Sequence, residues 1–250
     1  RFDYSLKNHT WLNIGGNAKI FFVPETLEEL REFLLYINKN KNNFFVLGAG
    51  SNLLISENIH DRIFIKLGKN FNKISLKEDN IVIAGCSILD RNVSEFASHN
   101  QLSGLEFLSC IPGSVGGGVR MNSGCFGTEF KDVLLSIQVI DFSGRVYTIN
   151  SKDIKFDYRK TNLPKNLIFL SASFKTKKKS RKEIEEIINI MKEKKEKSQP
   201  LRVKTGGSTF KNPTNQSKKK VWELIRDSVG DQISFGDAKI SDKHSNFFIN

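Results

Sequence analysis

Residues 111–127, IPGSVGGGVRMNSGCFG, contain six glycines in 17 positions, together with Pro112, Ser114 and Ser123. Ordering a segment this rich in glycine costs much conformational entropy. Such segments are typical where the backbone must come close to a flat or anionic ligand. We name residues 111–127 the second glycine segment, because a shorter glycine-rich segment precedes it in the chain.

A first glycine segment, residues 47–54 with the sequence LGAGSNLL, follows an apolar run expected to form a strand. Gly48 and Gly50 permit a tight turn that brings backbone N–H groups near an anion, and Ser51 and Asn52 add side-chain donors. The pattern is neither a GxGxxG turn entering a helix nor a Walker loop, so it argues against a Rossmann or P-loop fold. The two glycine segments together predict a protein that grips both ends of one dinucleotide.

The surrounding patterns predict an α+β fold with a mixed sheet rather than a regular βαβ repeat. Strands are expected at residues 19–23, 44–50, 53–56, 62–67, 72–76, 80–85, 136–142, 146–149 and 167–175. Helices are expected from Thr26 to Asn38, after Ser87 as the only helix within 66–175, over 181–198, and over 221–231 with Gly230 closing it. These elements divide the chain into segments 1–65, 66–175 and 176–250.

Composition limits the class of protein. The charge is +12, and residues 176–220, with 15 basic and five acidic side chains, carry +10 of it. This is typical of a solvated lysine-rich surface, and it is also compatible with a nucleic-acid-binding site. No apolar run is long enough for a membrane span, and three cysteines without CxxC spacing indicate neither a disulfide framework nor a zinc site. We expect a cytoplasmic protein without a metal or a membrane partner.

Two short motifs, FDYRKT at residues 156–161 and GGSTFKNP at residues 206–213, complete the pattern. Taken alone, Arg159 is expected at the surface, and Ser208 has no nearby His–Asp pair that would make it a triad nucleophile. In the order in which they occur, the motifs from NIGGNAKIFFVP to HSNFFIN closely resemble the UDP-N-acetylenolpyruvoylglucosamine reductase family. The resemblance runs from about Asn8 to Asn250.

The resemblance implies two FAD-binding subdomains of the vanillyl-alcohol-oxidase type, at 1–65 and 66–175, and a C-terminal α+β substrate domain at 176–250. It implies that NADPH reduces non-covalently bound FAD, which then reduces an enolpyruvyl nucleotide sugar in peptidoglycan synthesis. A monomer that does not bind nucleic acid is expected. The residues expected at FAD are Gly48, Ala49, Gly50, Ser51, Asn52, Leu53, Ile111, Pro112, Gly113, Ser114, Gly116, Gly117, Asn122, Ser123 and Gly124.

By the same resemblance, Arg159 matches the arginine that stabilises charge on the substrate, and Ser208 matches the proton donor. Tyr158, Asn212 and Arg202 are expected to bind substrate. The short third segment resembles the family class without a tyrosine-bearing loop. Ser123 and Cys125 replace the usual alanines, and both are small enough to keep the shape of the segment.

The family's catalytic Glu is expected beyond HSNFFIN, so we expect a C-terminal piece to be missing and this end to form an unpaired apolar edge. Two alternatives stay open. One is another flavin oxidoreductase of the same fold, which would lack GSTFKNP and Arg159. The other is a basic nucleic-acid-binding protein, which predicts aromatic side chains among the lysines of 176–220, where Phe210 is the only one.

Overall fold

The computed structural model describes residues 1–78, 80–213, 216–229 and 233–250, and it has the predicted mixture of helices and strands. The strands are β1 (Phe2–Ser5), β2 (Asn17–Phe22), β3 (Phe44–Val46), β4 (Ile63–Ile65), β5 (Ile74–Lys77), β6 (Ile81–Gly85), β7 (Leu102–Ser103), β8 (Gly124–Cys125), β9 (Thr128–Glu129), β10 (Leu134–Ile140), β11 (Val146–Asn150), β12 (Phe156–Asp157), β13 (Lys160–Thr161), β14 (Ile168–Lys175), β15 (Lys177–Lys178), β16 (Thr205–Ser208), β17 (Ser234–Phe235), β18 (Ala238–Ser241) and β19 (His244–Ile249).

The helices in the described residues are α1 (Leu27–Lys39), α2 (Asp90–His99), α3 (Val115–Met121), α4 (Phe130–Val133), α5 (Arg181–Ser198) and α6 (Val221–Val229). The predicted capping box of α1 is confirmed: Glu29 N donates to Thr26 Oγ1, and Glu29 Oε2 accepts from Thr26 N. The helix predicted over 181–198 is also confirmed, and it buries Ile184 and Ile188. The predicted closing residue of α6, Gly230, lies outside the described residues.

Contacts divide the chain into two compact units. Unit 1 comprises Arg1–Tyr4, Ala18–Ala49 and His60–Lys192, and unit 2 comprises Ser5–Asn17, Gly50–Ile59 and Glu193–Asn250. The three-segment division of the sequence stays a prediction.

Unit 1 contains a four-stranded sheet in the order β1-β2-β4-β3 and a five-stranded sheet in the order β11-β10-β14-β6-β5. In the first sheet β4 is parallel to both β2 and β3, and in the second the neighbours are antiparallel. One buried cluster joins α1 to the first sheet through Leu30, Leu34 and Ile65. A second, larger cluster lies between the five-stranded sheet and helices α2 to α4.

Unit 2 contains a four-stranded sheet in the order β16-β19-β18-β17. The predicted unpaired edge at HSNFFIN is wrong, because β19 is antiparallel to β16 on one side and β18 on the other. Phe247 is buried here, and Thr205 Oγ1 donates to Phe248 O over 2.7 Å. The backbone groups of this apolar strand are therefore bonded on both sides.

Three other local predictions are wrong. Residues 53–56 are not a strand. Ser87 does not cap α2, since the helix begins at Asp90 after Leu89 and Ser87 Oγ donates to Gly68 O. The described residues of segment 66–175 contain three α-helices rather than one, since α3 lies within the second glycine segment and α4 follows it. Three consecutive glycines gave no helical propensity from which α3 could be expected.

Helix α3 needs a glycine at position 118 because of the aromatic core beneath it. Phe130 is fully buried, and its ring makes edge contacts with Phe107 at 6.0 Å and Phe174 at 5.8 Å between centroids. A Cβ on Gly118 would overlap the Phe130 ring. At the adjacent Gly117, a Cβ would meet only Ser114 Oγ, at 3.6 Å.

We predict that Gly118→Ala destabilises the ligand-free protein by about 1–3 kcal/mol, because overpacking outweighs the gain in helix propensity. The matched control is Gly117→Ala, which should be stabilising by about 0.5–1 kcal/mol. Urea unfolding of the two variants measures both effects. Equal stability of the two variants would show that the Phe130 ring moves aside freely.

Candidate active site

The two glycine segments begin at strand ends that bring them together in unit 1. Strands β3 and β4 are parallel and end at the same edge, where Leu47 N donates to Ile65 O over 2.8 Å. The second glycine segment is tied to the end of β6, because Val115 N donates to Ile88 O and Gly116 N donates to Cys86 O, each over 3.0 Å. This arrangement places Gly48 beside Ser114.

The approach is close, since a Cβ on Gly48 would lie 2.6 Å from Ser114 Oγ. Beside this contact is a cavity of about 190 Å³. It is lined by Val46, Leu47, Gly48, Ala49, Lys66, Leu67, Cys86, Ser87, Leu89, Ser114, Gly116, Gly117, Arg120, Leu167 and Phe169. Five of the residues predicted at the cofactor, from both glycine segments, therefore line one cavity.

Two cations that sequence reasoning missed also line this cavity. Lys66 directly follows β4, and its Nζ donates to Gly48 O over 2.8 Å. Arg120 donates to Leu163 O and Leu167 O, and its Cζ lies 4.2 Å from the centroid of the Phe169 ring. Burial lowers the pKa of both side chains. Lys66 could have been predicted, because it follows a strand that pairs in parallel with the strand leading to Gly48.

The cavity suits an anionic cofactor. Ser114 Oγ is buried and has no hydrogen-bond partner among the described residues. A phosphate oxygen would accept a hydrogen bond from such a hydroxyl, and it would relieve the desolvation cost of the Lys66 ammonium. Gly117 is exposed and leaves backbone accessible at the cavity wall. The residues present fit the pyrophosphate of FAD.

The remainder of the second glycine segment is ordered by Asn122, which is fully buried in the left-handed conformation with φ 42°. Its Nδ2 donates to Glu129 Oε2 and Asp157 O, and its Oδ1 accepts from Lys131 N. Asn is one of the few residues that adopts this conformation readily. The side-chain amide of Asn122 thus fixes the conformation of this part of the second glycine segment.

Arg159 is held at the end of the same segment. One guanidinium nitrogen donates to Asn122 O over 3.1 Å, and the other donates to Gly124 O over 3.0 Å. The guanidinium also pairs with Glu129 Oε1 at 3.3 Å, and it lies over the Tyr158 ring. Its side chain is 30% exposed, so a fixed positive charge is presented at a partly accessible position.

The other predicted cofactor residues of unit 1 lie along the same segment. Ile111 packs against the large core cluster, Pro112 is exposed, and Ser123 is half-buried with its N–H bonded to Gly118 O. Gly124 pairs with Glu129 across a tight hairpin. The half-buried Cys125 donates from Sγ to Phe107 O, whereas Cys86 and Cys110 are buried.

Unit 2 carries the rest of the first glycine segment, residues 50–54. Gly50 has φ +71°, a Cβ on it would overlap His9 O, and its own carbonyl accepts from Trp11 N. A substitution at Gly50 therefore disturbs the fold of unit 2 whether or not a cofactor binds. Ser51 and Leu53 are half-buried, and Asn52 is exposed.

Ser208 is the last residue of β16 and is exposed. Asn246, which sequence reasoning missed, fixes the chain beyond it: it accepts from Phe210 N and donates to Phe210 O, each over 2.9 Å. Asn212 accepts from Val221 N, so its side chain caps α6, and Arg202 is exposed with φ 58°. Asn246 lies within HSNFFIN, and a polar residue directly before the apolar run FFI was the available signal.

Neither a membrane helix nor a metal cluster emerges from the described part of the chain. No helix there combines the length and apolar character that a bilayer span needs. No group of three or more His, Cys, Asp or Glu side chains there could hold a metal ion.

A family model described as "FAD binding domain" matches residues 18–150, which include both glycine segments and all of the cavity's lining residues except Leu167 and Phe169. A second, described as "UDP-N-acetylenolpyruvoylglucosamine reductase, C-terminal domain", matches residues 199–250. The fold and the site thus define an FAD-dependent oxidoreductase of α+β class, which confirms the predicted fold class and cofactor.

Curated relatives are similar over the whole chain. A UDP-N-acetylenolpyruvoylglucosamine reductase of Pelagibacter ubique is 54% identical over 249 residues, covering 100% of this chain and 82% of its own length. One of Rickettsia conorii is 45% identical, with 99% and 82% coverage. The crystal structure of the Thermus caldophilus reductase superposes with a TM-score of 0.86 at 33% identity, covering 98% of this chain and 86% of that one. The chain belongs to the UDP-N-acetylenolpyruvoylglucosamine reductase family.

We predict that Gly117→Ala weakens FAD binding at least tenfold while it stabilises the apoprotein, because its methyl group enters the cavity rather than the core. Fluorescence titration of apoprotein with FAD measures the dissociation constant. Unchanged affinity in a more stable variant would place the cofactor away from this wall.

Proposed function

We propose that this protein reduces the enolpyruvyl group of UDP-N-acetylenolpyruvoylglucosamine to give UDP-N-acetylmuramate, with NADPH as the electron source, in peptidoglycan synthesis. The observation that carries the proposal is the single cavity where Gly48 meets Ser114, lined by Lys66 and Arg120. The cavity offers the donors and the positive charge that a dinucleotide pyrophosphate needs. Relatives similar over the whole chain carry the name of this activity.

FAD, when bound, carries two electrons from NADPH to the substrate. The chain's part is to hold the cofactor and exclude water from it. Lys66 and Arg120 supply positive charge at low solvent exposure, where the attraction for phosphate is little screened. Ser114 Oγ would supply a hydrogen-bond donor to the bound cofactor, and residues 111–117 and 122–124 would form the wall beside its flavin ring.

Arg159 has the role of stabilising negative charge as it develops on the substrate. The guanidinium is fixed by Asn122 O and Gly124 O before any substrate arrives, so no reorganisation is needed during the reaction. Glu129 partly neutralises Arg159, and this pairing also sets the direction of the guanidinium plane.

Ser208 has the role of proton donor to the substrate carbon that becomes carbanionic. A serine hydroxyl is a weak acid, and a strongly basic enolate is an acceptor that can take its proton. The end of β16 is ordered by the Asn246–Phe210 bonds, which restricts where the Ser208 hydroxyl can point. Tyr158, Asn212 and Arg202 are proposed to bind the nucleotide sugar.

We infer further that the protein acts as a cytoplasmic monomer and does not bind nucleic acid. The lysines of α5 are spread over an exposed helix that also carries Glu183, Glu185 and Glu186. Such mixed charge on one helix is typical of a solvated face rather than of a phosphate-binding surface.

The proposed activity is tested with purified protein reconstituted with FAD. NADPH oxidation, followed by absorbance, should depend on the enolpyruvyl nucleotide sugar and yield one saturated product per NADPH. NADPH oxidation that is indifferent to this substrate would contradict the proposal, and faster turnover with NADH would correct the choice of co-substrate.

We predict that Ser208→Ala slows reoxidation of reduced protein by the enolpyruvyl substrate 10²–10⁴-fold, the usual contribution of a proton donor. Flavin reduction by NADPH should keep its rate, because the proposed role of Ser208 is to give a proton to the substrate, which takes no part in that half-reaction. Stopped-flow absorbance separates the two half-reactions. Thr209→Val, which removes the neighbouring exposed hydroxyl, is the control. Equal slowing of both half-reactions would assign Ser208 a structural role.

Arg159→Lys retains the charge but loses the planar fork that meets Asn122 O and Gly124 O. We predict a 10²–10³-fold slower reaction with the enolpyruvyl substrate, the loss typical of one charge-stabilising donor. The rate of flavin reduction by NADPH should change less than tenfold. A larger effect on flavin reduction than on substrate reduction would contradict the assigned role.

A further inference from the structure

Asp90 is a buried acid that the proposed mechanism does not use. It is the first residue of α2 and has no solvent exposure. Neither of its carboxyl oxygens has a hydrogen-bond partner among the described residues. Burial raises the pKa of Asp90 well above its usual range, because an isolated carboxylate is poorly stabilised away from water. Burial therefore favours the neutral acid at Asp90 over the carboxylate.

The Asp90 carboxyl lies directly behind the second glycine segment. Its Oδ2 is 2.8 Å from the position that a Cβ on Gly113 would take, and its backbone N–H donates to Gly113 O over 3.0 Å. The preceding residue, Leu89, forms a bridge with Ser114. A change in the charge of Asp90 therefore affects Gly113 and the adjacent Ser114, whose hydroxyl has no hydrogen-bond partner among the described residues.

Few titratable groups face Asp90. Cys86, directly after β6, is buried. Burial is the main cause that raises the pKa of its thiol, and electrostatic repulsion by Asp90 is a smaller one. The 3-10 helix Glu106–Cys110 packs against α2, and its Glu106 accepts from Ser103 Oγ and Gly104 N. On α2 itself, Arg91, Glu95 and His99 line a groove with α5. No ion pair to Asp90 is formed in the described residues.

We propose that Asp90 is a positioning residue for the cofactor: a neutral acid at this place permits FAD to bind against the second glycine segment, and its ionisation weakens FAD binding. FAD carries two negative charges on its pyrophosphate. A carboxylate behind Gly113 would repel them through a poorly solvated region where salt screens little. The inference rests on FAD as the cofactor, which direct titration of the unsubstituted protein checks independently.

The direction in which pH changes the affinity for FAD follows from thermodynamic linkage. If FAD binds the neutral form of Asp90 better, then binding raises the pKa of Asp90 further and takes up a proton above the pKa of the apoprotein. The dissociation constant for FAD should therefore rise with pH, by up to tenfold per pH unit for one coupled proton. Below that pKa the dissociation constant should be constant.

The test is a fluorescence titration of apoprotein with FAD between pH 6 and pH 9. The unsubstituted protein should show the rise, and Asp90→Asn, which mimics the neutral acid, should bind FAD with a flat profile near the low-pH affinity. Ser94→Ala is the matched control, because Ser94 is one turn along α2, is equally buried and unpartnered, and does not titrate. This variant should keep the rise. A flat profile for the unsubstituted protein, or an undiminished rise in Asp90→Asn, would overturn the proposal.

A second measurement needs no variant. Calorimetric titration at pH 8.5 in two buffers of different ionisation enthalpy counts the protons exchanged on FAD binding. An uptake of up to one proton per FAD bound supports the proposal. The absence of proton uptake contradicts the proposal, even if Asp90→Asn does not fold. Loss of FAD binding at every pH in the unsubstituted protein would instead refute the proposed cofactor site.

Discussion

The close approach of Gly48 to Ser114 is the constraint on which the site depends. Any side chain at position 48 would meet the Ser114 hydroxyl, so both segments keep their backbones exposed to the same cavity. The approach is possible because β3 and β4 end at one edge, and because the end of β6 carries backbone bonds to Val115 and Gly116. Two sheets with different strand directions thus converge on one short stretch of polar backbone.

The electrostatics of the site follow from this convergence. Lys66 and Arg120 are drawn into partly buried positions, and both are anchored by carbonyl oxygens rather than by carboxylates. Their charge is therefore not neutralised by an acidic partner at those bonds. Arg159, in contrast, is paired with Glu129, and the pairing fixes its direction. A phosphate and a transiently charged substrate need these two different arrangements, because one requires net positive charge and the other requires orientation.

Sequence reasoning predicted the α+β class, the cap of α1 and the extent of α5. Each rests on a local pattern or on a motif whose chemistry is specific. It did not predict α3, because glycine has low helix propensity. The glycine at position 118 is explained by the Phe130 ring, which leaves no room for a Cβ. It did not predict the bonds that order β19, since strand pairing is decided by distant residues. Arg120 was missed for the same reason, because its bonds to Leu163 O and Leu167 O join distant parts of the chain.

The composition of unit 2 has a consequence for biogenesis. Its strands come from the last part of the chain, yet it also includes Ser5–Asn17 and Gly50–Ile59. Leu12 O, for example, accepts from Asn250 Nδ2, which is 238 residues further along the chain. During synthesis these early pieces leave the ribosome long before their partners exist, whereas most of unit 1 can already assemble. Contacts between residues so far apart in the sequence form slowly. We therefore expect the assembly of unit 2 to be the step at which the nascent chain most needs protection from aggregation.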